Sequence, residues 1–346
     1  MNRYVLIVMA LSVITWTACA WAQTLPLMRI SVENNDRHVQ TQAVKRYADE
    51  IRKKLRGRID VQFFSDARLF RDRDIIQAMA QGRVEMGVPG TWHVARFEPN
   101  VQIFLLPAFY GRPAQAIYRA VDGAVGQTIA DRLEKNLRLK VVGKWIDLGY
   151  AHLFSVNKKI SRQEDIEGLR VRVAGGEANK LRIEAMGGRA RIIPWPDLPQ
   201  YLQQGRVDAI LTSYETVESA SLWRIGVKHA FEDQEYFPQY IPLVRLSFWN
   251  KLSDDTRHIL TSTWEKYVDT ARRDAAESQR KAKEILVENG VDVTRPDPVK
   301  MEVWRQKMLS RQDEFVKILN IDPELVHQIM KIFKQDAGFA HAKDES

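Results

Sequence analysis

The chain has 346 residues, of which 45% are hydrophobic, and it carries 52 Lys and Arg against 44 Asp and Glu. A chain of this length and apolar content buries a large core, and at about 100 to 200 residues per domain it divides into about two domains, which excludes disordered and collagen-like classes. Its one cysteine, Cys19, also excludes an internal disulfide and a zinc site built on several cysteines.

The first 22 residues have the pattern of an export signal. Arg3 supplies a positive start, Tyr4–Thr15 is an uncharged and mostly apolar run, and Ala20–Ala22 gives the small-x-small cleavage pattern. We therefore predict that residues 1–22 are a signal peptide cleaved after Ala22 and that the mature protein is periplasmic. The apolar run is shorter than the roughly 20 residues that span a bilayer.

Cys19 supports an alternative, in which a lipid on this residue anchors the chain to a membrane. Trp16 stands where a lipoprotein signal usually carries Leu, which favours cleavage after Ala22. Removing the signal lowers the formal net charge from +8 to +7. The remaining charges are mixed in sign, as in Arg71–Asp74, which is typical of a solvated surface and predicts no nucleic-acid partner.

Predicted strands and helices then alternate in two sets. The first has strands at Met28–Val32, Ile59–Phe64 and Val84–Val88 and helices at Val39–Leu55 and Arg73–Ala80. The second has strands at Leu169–Val173, Ala190–Ile193 and Val207–Leu211 and helices at Asn179–Met186 and Leu198–Gln203. This order is typical of mostly parallel sheets covered by helices, so the chain is predicted to form two α/β lobes. Two similar segments, Gln81–Glu85 and Gln204–Asp208, support lobes of like construction.

A long helix follows the two sets. Ser253 is a good N-cap, and Asn289 with Gly290 makes a good C-cap. A helix of some 35 residues is about 50 Å long, so we expect it to brace both lobes. After it we predict a strand at Val291–Thr294, a helix from Pro298 to Leu319 and a polar tail at residues 336–346.

Sequence motifs of catalysis are not found. The chain has no Gly-x-Ser-x-Gly, His-Glu-x-x-His, Walker or Gly-x-Gly-x-x-Gly motif, and its seven histidines are dispersed. We predict no cofactor, no metal site and no enzymatic activity.

Arg172 is the leading candidate for a binding residue. Arg170 and Arg172 share one face of a predicted strand, although the strands of a sheet covered on both sides are normally apolar. A buried guanidinium has to be paired or directed into a wet cleft, and Arg172 is near the carboxyl end of its strand, where open α/β sheets bind ligands. The two interpretations are a carboxylate clamp and a structural ion pair.

Three segments together resemble a known family: Glu164–Val173, Met186–Gly188 and Pro194–Asp208. They are similar to the substrate-binding proteins of tripartite ATP-independent periplasmic (TRAP) transporters, and the likeness extends over most of the mature chain. The resemblance implies a type II periplasmic-binding-protein fold, in which two α/β lobes hinge around a cleft, close on an organic acid and deliver it to a membrane permease.

By position, the resemblance implies that Arg172 clamps a carboxylate, that Trp195 covers the ligand and that Thr212 is a polar ligand contact. A second ligand arginine of many members is replaced here by Ala151, and the adjacent His152 becomes a candidate. These departures leave the identity of the ligand open.

Strand ends of the first lobe supply further candidates. They nominate Asn34 and Asn35, with a turn as the alternative role, and also Thr91 and Trp92. Trp92 and Trp195 have core packing as the alternative to cleft lining.

The sequence thus predicts a monomeric binding protein for a small organic anion that works with TRAP permease subunits. The alternatives are a binding protein of the same fold that serves another transporter or sensor, and an exported α/β hydrolase or lyase. The predicted division is a signal peptide (1–22), lobe I (23–149 and 238–275), lobe II (150–237 and 276–335) and the tail (336–346).

Overall fold

The computed structural model describes the backbone of residues 25–344 and the side chains of residues 25–334. The predicted signal peptide, Cys19 and the cleavage site lie outside the described residues. The strands are β1 (Leu27–Ser31), β2 (Asp60–Phe64), β3 (Met86–Gly87), β4 (Leu139–Val141), β5 (Ile146–Asp147), β6 (Ala151–Ser155), β7 (Arg170–Val173), β8 (Arg189–Ile192), β9 (Ala209–Ser213), β10 (His229–Tyr236), β11 (Gln239–Tyr240), β12 (Leu243–Arg245) and β13 (Asp292–Thr294). The α-helices are α1 (Val39–Lys54), α2 (Asp72–Ala80), α3 (Thr91–Val94), α4 (Ala114–Val121), α5 (Ala124–Leu137), α6 (Glu177–Ala185), α7 (Leu198–Gln203), α8 (Tyr214–Ser219), α9 (Leu246–Trp249), α10 (Asp254–Glu288), α11 (Pro298–Leu309), α12 (Gln312–Ile318) and α13 (Pro323–Asp344).

The strands form two main sheets, each at the centre of one lobe. The first lobe has five strands in the order β2-β1-β3-β12-β4, and the second has six in the order β13-β10-β6-β9-β7-β8. β1 is parallel to β2 and β3, and β7 is parallel to β8 and β9, whereas β12 and β6 run antiparallel to their neighbours. The predicted two-lobe α/β fold is confirmed, and both sheets are mixed rather than mostly parallel.

The bounds of several elements differ from the prediction. The strand predicted at Val84–Val88 is only Met86–Gly87, and the strand predicted at Val207–Leu211 begins at Ala209. Asp208 lies outside that strand, where its carboxylate accepts hydrogen bonds from Arg170.

The C-terminal segment also differs. The helix predicted from Pro298 to Leu319 is divided into α11 and α12, and the turn between them places Gln312 where its Oε1 accepts a hydrogen bond from the Ala108 amide at 2.8 Å. The last helix, α13, was not predicted, and it continues through Asp344 into the predicted polar tail. α11–α13 contact both lobes: Phe333 meets Phe109, and Trp304 Nε1 donates to Glu235 at 3.1 Å. The predicted residue boundaries of the lobes stay a prediction.

The long helix α10 is capped as expected and contacts both lobes. The Ser253 hydroxyl accepts a hydrogen bond from the Thr256 amide at 3.3 Å. Trp264 packs edge-on against Tyr47 of α1 at 5.1 Å between ring centroids. Farther along, Lys283 Nζ lies 2.5 Å from Glu232 in the second lobe. The predicted bracing role agrees with these contacts.

Two crossings of the chain between the lobes lie side by side. β5 and β11 pair antiparallel, and the Leu148 amide donates to the Pro238 carbonyl at 3.2 Å. Gly149 follows with a φ of +71°, which favours glycine. Gln279 of α10 donates to the Leu148 carbonyl at 2.6 Å and joins this ladder to the long helix. Within the described part of the chain, no helix is long and apolar enough to cross a membrane.

Candidate ligand-binding site

A cavity of about 40 Å³ lies between the lobes, where strands of both sheets end. β1, β7 and β9 lead into it with their carboxyl ends, as is usual for ligand sites of open α/β sheets. Its lining consists of Glu33, Asn34, Trp92, Leu148, Ala151, Arg172, Ala174, Trp195, Leu211, Thr212, Ser213, Thr216, Tyr236, Pro238 and Tyr240.

Arg172 is the cation in this lining. Its side chain is 2% exposed, its Nε donates to the Ile193 carbonyl at 3.0 Å, and its guanidinium carbon lies 5.8 Å from the centre of the Trp195 ring. Burial lowers the pKa of Arg172 to about 10, so it is charged at neutral pH. Its two terminal nitrogens make no hydrogen bond and no ion pair with the described residues.

Arg170, on the same face of β7, is paired with a carboxylate, in contrast to Arg172. It forms a half-exposed pair with Asp208, with Nη2 and Oδ1 2.6 Å apart. The structural ion pair that was the alternative for Arg172 is therefore made by its neighbour, whereas Arg172 has the placement that a carboxylate clamp requires. Its role in binding stays a prediction.

A second polar group, on the first lobe, was not predicted. Glu33 lines the cavity, and its Oε1 accepts a hydrogen bond from the Asp72 amide at 3.2 Å. Burial raises the pKa of Glu33, and burial together with the charge of Glu33 raises the pKa of Asp72 well above its usual range. Burial and the nearby Arg172 lower the pKa of His93 to about 3. Glu33, Asp72 and His93 each offer an atom within 4.8 Å of the others, a spacing that could hold a metal ion.

Five of the predicted residues are brought together in the lining: Asn34, Trp92, Arg172, Trp195 and Thr212. Asn35, His152 and Thr91 do not line this cavity, and their roles in binding stay predictions. Asn34 lines the cavity, whereas Asn35 lies at the rim between the lobes. There the Nδ2 of Asn35 donates a hydrogen bond to the Ser219 carbonyl at 3.4 Å. Successive residues of a strand face opposite ways, so Ala151 faces the cavity and His152 packs against Tyr214 at 5.2 Å on the other side.

The lining also contains residues that the sequence analysis missed. Tyr236 and Tyr240 come from an antiparallel strand and the crossing after it, where the rule for the ends of parallel strands does not apply. The ring of Trp92 lies 6.2 Å from Tyr236 and 5.2 Å from Tyr240. Trp92 Nε1 is buried without a hydrogen-bond partner among the described residues, so the indole is an additional donor at this wall. The position of Glu33 directly before the predicted pair Asn34 and Asn35 is the sequence feature that could have identified it as a lining residue.

Direct contacts join the lobes around the cavity. Arg71 of the first lobe makes a bidentate ion pair with Asp197 of the second, at 3.0 and 3.1 Å. At the start of α1, His38 Nε2 lies 3.1 Å from Glu215 Oε2, and the Val39 amide donates to Glu215 Oε1 at 2.9 Å. These contacts connect the two lobes on either side of the cavity.

We expect the buried carboxyl group of Glu215, which lies beside His38, to make the stability of the fold depend on pH. Burial raises the pKa of Glu215 to about 8, whereas burial lowers that of His38 to about 3. An acid whose folded-state pKa is raised stabilises the fold fully below its unfolded pKa of about 4.5, and this contribution is lost as the pH rises through about 8. The Tm of wild type minus that of Glu215→Gln should therefore fall between pH 5 and pH 9. His38 is present in both proteins, so its own titration largely cancels, and a difference that stayed constant or rose would contradict the prediction.

Residues 30–318 match the family model of the bacterial extracellular solute-binding proteins, family 7 (DctP). The chain belongs to this family. DctP-family proteins bind solutes and are not enzymes, in agreement with the prediction made from the missing catalytic motifs.

Individual relatives of this DctP-family chain are distant in sequence. A solute-binding protein of Chromohalobacter salexigens is 25% identical over 276 residues, 80% of each chain. The C4-dicarboxylate-binding periplasmic protein DctP of Rhodobacter capsulatus is 24% identical over 238 residues, 68% of this chain and 69% of the relative. The crystal structure of the sugar acid binding protein DctPAm from Advenella mimigardefordensis, in complex with galactonate, superposes with a TM-score of 0.83 at 19% identity and covers 90% of this chain and 99% of that one. This last likeness concerns the fold.

Proposed function

We propose that the protein captures a small organic acid in the cavity between its lobes and delivers it to the membrane subunits of a TRAP-type permease. The observation that carries this proposal is the buried guanidinium of Arg172, which faces the cavity with both terminal nitrogens free of hydrogen bonds to the described residues. A guanidinium fork matches the two oxygens of a carboxylate. The walls around it are mostly aromatic and apolar with a few polar groups, as in other small-molecule sites.

The relatives support a carboxylate ligand. One is named for C4-dicarboxylate binding, and the structural neighbour holds galactonate, which is a sugar acid. Both ligands carry at least one carboxylate, the group that Arg172 is suited to bind. We propose that the protein acts as a periplasmic monomer, because the residues that line this cavity all belong to one chain. Such a protein can carry its ligand to the permease without a second copy.

The mature protein is expected to begin at Gln23, because the small-x-small pattern ends at Ala22. Intact-mass measurement of protein purified from the periplasm should give an unmodified chain from Gln23 to the C-terminus. A chain that begins at Cys19 and carries the mass of a lipid would support the anchored alternative instead.

Binding is expected to bring the lobes together, and Trp195 should report it. Pro194 and Pro196 restrict the backbone on both sides of Trp195, whose ring lines the cavity beside Arg172. Native mass spectrometry of the protein as purified first identifies a ligand that is held and released unaltered. Titration of the ligand-free protein with it should then reduce the radius of gyration and change the tryptophan emission.

Seven tryptophans remain in the mature chain, so the test of Trp195 is comparative. Trp195→Phe should compact as wild type does while the change in emission is largely lost. A radius that does not change at saturation would contradict the hinge mechanism. An equal emission change in both proteins would place Trp195 outside the site, and chemical conversion of the ligand would contradict a binding function.

A further inference from the structure

The charged side chains in the lining of the cavity are Arg172 and Glu33, and they come from opposite lobes. Arg172 belongs to β7 of the second lobe, and Glu33 follows β1 of the first. Both are nearly fully buried, with 2% and 6% of their surface exposed. Neither forms an ion pair with another residue in the described part of the chain. The cavity therefore presents a donor on one wall and a carboxyl group on the other.

The carboxyl group of Glu33 has acceptor capacity left. Its Oε1 accepts the Asp72 amide at 3.2 Å, while Oε2 receives no hydrogen bond from the described residues. A carboxylate offers about four acceptor positions, and leaving them unfilled in a buried site is costly. Asp72 adds a second buried carboxyl group behind Glu33, bonded to the Gly90 amide at 3.3 Å. This wall of the cavity thus favours a hydrogen-bond donor and opposes an anion.

A ligand has to satisfy both walls at once. Its carboxylate can pair with Arg172, but a second carboxylate would meet the carboxyl group of Glu33, and like charges in a buried site repel strongly. A hydroxyl or ammonium group would instead donate to Glu33. Building on the proposed function, we infer that the protein selects a monocarboxylate that carries a hydrogen-bond donor away from its carboxylate, and that it discriminates against dicarboxylates.

A metal ion on Glu33, Asp72 and His93 is the competing occupant of this wall. Positive charge nearby opposes it: Arg172, Arg71 and Arg73 all act on Glu33, and Arg172 and Arg73 also act on His93. A ligand donor needs only Glu33, which is the member of the three that lines the cavity. We therefore expect a donor group of the ligand, and not a metal ion, to occupy the wall beside Glu33. Chelation by EDTA tests for the metal.

The test uses two pairs of acids that differ only at one end. 4-Hydroxybutanoate and succinate have the same four carbons, and galactonate and galactarate have the same six, with a terminal hydroxyl in the first of each pair and a carboxylate in the second. 4-Aminobutanoate tests an ammonium group in place of the hydroxyl. Affinities are measured by calorimetry at neutral pH for the mature wild-type protein, for Glu33→Gln and for the control Asp72→Asn.

Wild type should bind at least one donor-bearing acid about tenfold or more tightly than the matched dicarboxylate. Glu33→Gln keeps an oxygen for the Asp72 amide but loses the charge, so it should narrow that ratio about tenfold or reverse it. Asp72 does not line the cavity, and Asp72→Asn keeps an acceptor for the Gly90 amide, so it should change the ratio by less than about threefold.

Equal or tighter binding of succinate and galactarate by wild type would overturn the inference, as would an unchanged ratio in Glu33→Gln. Binding that EDTA abolishes and a divalent cation restores would overturn it in favour of the metal. In each of these cases Arg172→Ala still reports on the proposed function, because it should weaken every acid that binds. Failure of all five acids to bind wild type, together with a native ligand that mass spectrometry shows to carry no carboxylate, would count against the proposed function itself.

Discussion

Replacement of Arg172 by Ala is expected to weaken ligand binding by about 10- to 100-fold while the fold persists. Charge-assisted hydrogen bonds to a carboxylate contribute about 1.5 to 3 kcal/mol, and the terminal nitrogens of Arg172 are free to make them in a buried cavity. Arg172→Lys should also bind more weakly, because an ammonium keeps the charge but loses the planar fork. Calorimetry with the ligand identified by mass spectrometry measures both effects.

Arg170→Ala is the matched control. Arg170 lies two residues away on the same face of β7, but it pairs with Asp208 and does not line the cavity. Its loss should leave the ligand affinity within about twofold of wild type. Wild-type binding by Arg172→Ala would contradict the clamp. Should that variant not fold, Arg172→Lys in a folded protein decides the question, since undiminished affinity there would contradict the need for a fork.

The largest loss of stability is expected from Arg272→Met in the long helix. Arg272 is 7% exposed and makes a bidentate pair with Asp122 at 2.7 and 2.8 Å. It also donates to the Trp145 carbonyl at 2.7 Å and lies 4.1 Å from the ring of Tyr118. Removing one partner of such a pair leaves a carboxylate and a carbonyl without their donor. The free energy of unfolding should fall by about 2 to 4 kcal/mol in urea titrations.

Arg273→Met tests the same change one position along the helix. Arg273 is exposed, and its hydrogen bond reaches only Thr270 on the same helix. Its loss should change the free energy of unfolding by less than about 0.5 kcal/mol. Equal stability of the two variants would show that the contacts of Arg272 do not hold α10 in place.

The fold was predictable because its signals are local. Alternating strands and helices, the Ser253 cap and the pair of Asn289 and Gly290 all act within a few residues, and each appears in the structure close to the expected place. The turn that divides α11 from α12 was not predicted, and beside it Gln312 makes a contact that the sequence does not reveal, a hydrogen bond from the distant Ala108 amide.

The candidate site was predictable where a residue type was unusual for its position in the sequence pattern. Arg172 is one of two charged residues, with Arg170, on a strand of a sheet that helices cover on both sides, and Trp195 lies between two prolines. His152 lies outside the cavity because the alternation along β6 begins with Ala151 facing inward, and the sequence does not fix which residues of the strand face inward. Asn35 lies outside the cavity for a similar reason, since Glu33–Asp36 is a run of four polar residues and only the folded chain shows which of them face inward.

The ladder of β5 and β11 limits how the molecule can move. Two strands that are hydrogen-bonded side by side cannot slide past each other without breaking the Leu148 to Pro238 bond, so translation of one lobe over the other is opposed. α10 contains neither Gly nor Pro, so a sharp kink in it is not available as a second joint. We expect the remaining motion to be rotation of the lobes about the line of the ladder, with Gly149 as the flexible position beside it. Ligand binding at the cavity is therefore expected to favour this one rotation between the lobes.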